Sequence, residues 1–222
     1  MLTIHGVPLS VHTRKVIVIA LLKGIPHRVE PVIPFNPPPG WDALSPTGLI
    51  PAMEDGDFTL ADSTAICLYL ERVSASPAIL PRDPRDYGRA LWLDAYAGGT
   101  VFRQVVHGLF FQKIIRPLIL KQATDQAAID AILATALPKV FRYLDSQAAA
   151  RFLVGDALTL ADIAVASNLV NYQYLGFAID RALYPHLADY AQRIAALDVV
   201  QQALAAERPF AEQMGLDRSL LS

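Results

Sequence analysis

The feature that most constrains this chain is a change of pattern near residue 75. Ahead of it, short β-like runs alternate with helical ones; behind it, no convincing strand occurs. A chain written this way folds as a small α/β unit followed by an all-helical one. At 222 residues and 53% hydrophobic, it carries enough apolar material for one large core or two modest ones.

Leu2–His5 reads as a strand and residues 11–23 as a helix, with Val16, Ile17, Ala20 and Leu21 on one apolar face. Gly24 closes that helix and Pro26 prevents its continuation. Residues 27–32 form a second strand, and Pro31 within it suggests a sheet edge. Residues 34–40 hold four prolines and a glycine and must be a loop. Residues 52–54 and 57–60 flank Asp55-Gly56, a hairpin signal, and a helix over 62–73 follows. The order is β-α-β, loop, β-β, α. Residues 1–76 make this unit, 77–83 a linker and 84–222 the helical unit. Within the latter, residues 87–120, 126–147, 160–174 and 184–206 are helical in pattern; Pro117 and Pro138 kink or end the first two.

Thr159-Leu-Ala-Asp162 has capping-box spacing with Asp in place of Glu or Gln, and Leu158 and Ile163 stand where a hydrophobic staple would close. Cys67 is a single cysteine, which excludes an intrachain disulfide framework; a buried, inert thiol is expected. No metal-ligand spacing involves it, and no metal is expected. The net charge of −2 gives no reason to expect nucleic acid or a membrane surface as partner. The most apolar stretch, residues 109–120, contains Lys113, Arg116 and Pro117 and is too short and charged to span a bilayer. With no signal peptide evident, a soluble cytoplasmic protein is expected.

Three local signals converge on one ligand. Ser10 stands where the first strand turns into the first helix, beside free backbone N–H groups that favour an anion. A hydrogen bond donated to a bound thiol favours its thiolate, the nucleophilic form. Ser10 can equally be a plain helix cap, and His12 or Thr13 could take its place. Ile50-Pro51 precedes a strand; a cis bond there would turn the Ile50 backbone outward to pair with an extended peptide. Asp62-Ser63 opens the third helix, a seat for a carboxylate with Asp62 available to an ammonium group, or again only a cap. Together they suit a small peptide with a free amino-acid head, a backbone portion and a central thiol: glutathione.

Ser10-x-x-x-Arg14-x-Val16, Ile50-Pro51 and Asp62-Ser63-x-Ala65-Ile66-x-x-Tyr69-Leu70 together resemble the cytosolic glutathione S-transferase family over nearly the whole chain. The Thr159–Asp162 box is a hallmark of the same family. The resemblance implies a thioredoxin-like N-terminal domain plus an all-α C-terminal domain, and a homodimer pairing the third helix of one subunit with the first long helix of the other. It implies Ser10 as the thiol-activating residue, Ile50 as backbone partner of the glutathione cysteine, with Leu49 and Pro51 beside it, and Asp62 and Ser63 as the γ-glutamyl site. Leu49 stands where the family often has Lys, His or Gln, so the glycyl end needs another partner, Trp41 or a residue of the proline loop. A hydrophobic acceptor is expected between the domains, against Phe102, Val106 and Phe110 at four-residue spacing, with Val11, His12 and Phe35 from the first domain. The same three aromatic and aliphatic residues could instead be interdomain core, and Arg103 and His107 on another stripe read as solvated.

The leading expectation is therefore conjugation of the glutathione thiolate to a small apolar electrophile. The alternatives are a glutathione-dependent disulfide or hydroperoxide reductase or an isomerase on the same site, and a non-catalytic binding module of the same fold.

Overall fold

A computed structural model describes residues 1–217 and 219 of the chain. Four strands, β1 (Leu2–His5), β2 (His27–Glu30), β3 (Ala52–Asp55) and β4 (Phe58–Ala61), form one mixed sheet in the order β2-β1-β3-β4. β1 runs parallel to β2 and antiparallel to β3, with Ile4 opposite Met53, and β3 turns back into β4 through Gly56-Asp57, one position later than expected, because Asp55 stays in the ladder opposite Phe58. Ile4 and Met53 are fully buried, so the inward side of this pair carries the core. β2 is indeed an edge, but it ends at Glu30; Pro31 follows the strand instead of sitting in it, where its missing N–H would cost a ladder bond.

Helix α1 (Val11–Leu22) departs from the amphipathic reading. Thr13 through Ala20 are all buried, because α1 packs on the sheet and α3 and also on two helices of the second domain. Two of those buried residues are Arg14 and Lys15. A short helix α2 (Trp41–Leu44), not anticipated, follows Gly40 and packs Trp41 with Val32 and Ala52. Helix α3 (Ser63–Val73) closes the first domain.

Helix α4 (Pro84–Tyr96) begins before the expected residue 87, because Asp83 caps it through the Arg85 and Asp86 N–H groups and Pro84 fits the first turn. Helical structure continues through Ala97–Val101 and Arg103–Ile119 with wide turns, whose backbone bonds span five residues instead of four. Pro117 falls in the last turn and Lys121 has a positive φ of 55°, so the helix stops there. After α5 (Gln126–Ala131) and a further wide turn at Ile132–Ala136, α6 (Leu137–Gln147) carries Pro138 in its first turn, where a proline is tolerated. α7 (Leu160–Tyr174) is the buried axis of the domain. The single helix expected over 184–206 is two, α8 (Pro185–Ala195) and α9 (Asp198–Gln213), separated where Leu197 turns extended.

The capping box holds. Asp162 accepts from the Thr159 N–H at 2.9 Å and the Thr159 hydroxyl at 2.8 Å. It also accepts from the Leu153 N–H at 2.8 Å and the Tyr190 hydroxyl at 3.2 Å. The box is thus a hub joining α7, α8 and the preceding loop. Among the described residues, no helix is long and apolar enough to cross a membrane.

Candidate active site

The loop after β1 delivers Ser10 to the mouth of α1. The Ser10 N–H donates to Val7 O at 3.0 Å, and Ser10 O accepts from the Arg14 N–H at 2.8 Å. Its side chain also caps the helix, but only at 3.5 Å from the Thr13 N–H, the outer limit of a hydrogen bond. That bond uses an oxygen lone pair. The hydroxyl proton remains available to a ligand.

Thr13, the alternative to Ser10, is fully buried and its hydroxyl has no partner among the described residues. It faces Gly6, where an added Cβ would come 2.5 Å from Thr13 Oγ1 and 3.4 Å from Ile50 Cβ. That close approach, at φ 155°, requires glycine and presses the strand end, α1 and Ile50 together. Thr13 therefore packs, and cannot reach a ligand. The Ile50–Pro51 peptide is cis, and Pro51 is buried as β3 begins. Leu49 is 64% exposed; its carbonyl accepts from the buried Ser45 hydroxyl at 2.7 Å, which fixes the chain leading into Ile50. Trp41 is buried with its indole nitrogen shut away from solvent, so it is in no position to hold the glycyl end of a ligand.

At the head of α3, Asp62 has a positive φ of 77°, and its Oδ1 accepts from the Thr64 and Ala65 N–H groups at 2.9 and 3.0 Å. The cap is real. It occupies one carboxylate oxygen and leaves the Ser63 N–H as the first-turn donor that Asp62 does not engage. The Ser63 hydroxyl lies 3.3 Å from His12 Nδ1, which brings the starts of α1 and α3 together.

His12 is the site's other polar group. Its ring packs tilted against Phe102 at 4.6 Å between centroids, and Phe102 lies 4.6 Å from His107. Residues five apart would point to different sides of an α-helix; the wide turns bring Phe102 and His107 together. Burial, reinforced by Lys15, pushes the His12 imidazole down to about 4, so it is neutral at physiological pH. Val11 is buried, and with His12, Lys15, Gly98, Ala164 and Asn168 it lines a small gap behind the site. Val106 is half-buried, Phe110 turns into the core at 7% exposure, and Phe35 stands out from the proline loop at 53%. The four-residue stripe is thus divided between a ring ladder at Phe102 and core at Phe110. Cys67 is fully buried and its thiol is pushed up to about 12, which leaves it inert.

Two family descriptions match the chain, "Glutathione S-transferase, N-terminal domain" over residues 9–73 and "Glutathione S-transferase, C-terminal domain" over residues 106–198. Glutathione S-transferase 3 of Zea mays is 31% identical over 215 residues, covering 92% of this chain and 94% of that one. The chain belongs to the glutathione S-transferase family. A glutathione S-transferase from Rhodospirillum rubrum F11 superposes with a TM-score of 0.83 at 26% identity, over 92% of each chain. A maleylpyruvate isomerase from a Ralstonia species is 28% identical over 76% of this chain and 79% of its own length.

Within this family fold, the sequence reading missed the groups that lock the domains around the site. Arg14 pairs bidentately with Glu207 of α9 at 2.6 Å on both arms. Its third nitrogen donates to Ser167 O at 2.6 Å and Asn171 Oδ1 at 2.8 Å. Burial alone would lower the guanidinium, but Glu207 outweighs it and holds Arg14 above its ordinary value. Lys15 meets Asp94 at 2.7 Å and Thr64 at 2.9 Å, joining α1, α3 and α4. The available signal was two consecutive cations inside an otherwise apolar helix.

Proposed function

We propose that this chain is a cytoplasmic, homodimeric enzyme that binds glutathione and transfers its thiolate to a small, mostly apolar electrophile. The observation that carries the reading is the meeting of three separate segments at one place. Ser10 heads α1, the cis Ile50–Pro51 bond leads into β3, and Asp62-Ser63 heads α3. In this reading the Ser10 hydroxyl donates to the thiolate and stabilises it, helped by the helix N-terminus. Ile50 offers its backbone to the cysteinyl residue. The Ser63 N–H and hydroxyl take the γ-glutamyl carboxylate, and the Asp62 oxygen not spent on the cap takes the ammonium group. The acceptor rests against the His12–Phe102 pair, with half-buried Val106 and exposed Phe35 of the proline loop as its further apolar contacts. Holding thiolate and electrophile side by side supplies the remaining rate advantage. Residues 77–83 serve as the linker between the two domains.

A second reading, isomerisation on the same site, draws support from the maleylpyruvate isomerase relative. Parallel assays with an aryl halide, an activated cis-dienoic acid, a disulfide and a hydroperoxide separate the reactions. Turnover of the aryl halide, lost in Ser10→Ala, supports conjugation. Turnover confined to the unsaturated acid moves the assignment to isomerase.

A further inference from the structure

The bonds around Ser10 close into a ring that begins and ends in the second domain. The Leu9 carbonyl, one residue ahead of Ser10, accepts from Asn171 Nδ2 on α7 at 3.2 Å. Asn171 Oδ1 accepts from Arg14 at 2.8 Å, and the Arg14 N–H returns to Ser10 O at 2.8 Å. Arginine has only donors, so the amide oxygen must face it and the amide nitrogen must face Leu9. The orientation of Asn171 is therefore fixed by chemistry. Both peptide planes flanking Ser10 are held, the earlier one through Leu9 O and the later one through Ser10 O. Fixing both planes fixes the Cα–Cβ direction of Ser10, and so the three positions its hydroxyl can take by rotation about χ1. The weak 3.5 Å cap leaves that rotation free to follow a ligand.

We propose that Asn171 is a positioning residue for Ser10: α7 of the helical domain sets the aim of the thiol-activating hydroxyl through the Leu9 carbonyl and Arg14. This rests on Ser10 acting on the thiol, as proposed above. Asn171 touches no substrate. Asn171 is 2% exposed and Arg14 1%, so water does not replace either bond in the native protein.

The test is a pH titration of thiolate absorbance in the glutathione complex, with kcat and KM for glutathione measured alongside. Asn171→Leu keeps the branching at Cγ and leaves Arg14 its bonds to Ser167 and Glu207, but withdraws the donor to Leu9. The bound thiol should then titrate about 0.5–1 unit higher, an expected 3- to 10-fold loss of kcat/KM at pH values below the wild-type midpoint. KM for glutathione should stay within about 2-fold, since the groups that hold the tripeptide are untouched. Asn171→Ser leaves room for a bridging water and should recover part of the shift. Tyr174→Phe, which removes a 2.9 Å bond to Glu207 in the same network, should lower Tm and leave the thiol where it is. If folded Asn171→Leu and Asn171→Ser lose Tm and keep the wild-type titration, Asn171 only clamps the domains and the proposal is wrong. If both Asn171 variants fail to fold, the titration of Arg14→Lys decides between the same two outcomes. If Ser10→Ala itself leaves the titration unchanged, the underlying reading of Ser10 fails instead.

Discussion

In the proposed mechanism Ser10 would serve two ends with one hydroxyl, and the chemistry permits both because capping uses a lone pair while thiolate binding uses the proton. His12 beside it is committed to neutrality. Its imidazole is held down to about 4, against 6.5 in the unfolded chain, by burial first and Lys15 second. Between those two values the unfolded chain binds the extra proton, so stability is complete above pH 6.5 and declines as pH falls towards 4. His12→Asn keeps a polar atom near Ser63 and removes that titration. Denaturant unfolding at pH 7 and pH 5 should show a smaller acid loss in the variant, the His12 contribution between those two values being about 2 kcal/mol in the wild type; an equal loss contradicts the assignment. At this scale local turn chemistry was legible, as in the caps at Ser10 and Asp62 and the cis bond at Ile50-Pro51. Arg14 was not, because its Glu207 partner lies 193 positions away and no spacing rule reaches that far. Nor was the burial of Thr13, which depends on Gly6 and Ile50 pressing in from other segments.

Among the elements, α7 shows how one side chain can organise several. Asp162 satisfies four donors from Thr159, Leu153 and Tyr190, and removing it strands two buried backbone N–H groups. Asp162→Ala should cost about 3–5 kcal/mol of stability, read as a fall in Tm, whereas a loss below 1 kcal/mol would mean that the loop before α7 finds other partners. The box itself was readable from sequence because its spacing is fixed by the helix. Other elements were hidden for identifiable reasons. The break at Leu197 carries no Gly or Pro, so α8 and α9 read as one helix. The wide turns after α4 decide that His107 meets Phe102, a contact that the spacing rules of an α-helix do not anticipate.

Over the whole molecule, the two domains are joined by buried charge as well as apolar contact. Arg14 with Glu207 and Lys15 with Asp94 tie α1 to helices of the second domain, and all four residues are at most 3% exposed. Such pairs add little net stability when intact, but removing one member leaves an uncompensated charge. Asp94→Ala should cost about 3–5 kcal/mol by chemical denaturation, while Lys15→Met with Asp94→Leu should recover most of it. A single substitution without measurable effect would mean that water reaches Lys15. The change of pattern near residue 75 announced two domains. It could not announce that α1 would be buried between them, since that depends on contacts no single segment contains.

The central claim is that Ser10 makes the bound thiol a thiolate. Thiolate absorbance titrated with pH in the glutathione complexes of wild type and Ser10→Ala tests it most directly. The thiol should titrate below the free value of about 8.5 for a cysteine in the wild type, and should rise towards it in Ser10→Ala, with kcat/KM falling about 10²-fold. Identical titrations in the two proteins, with turnover unchanged, would contradict it.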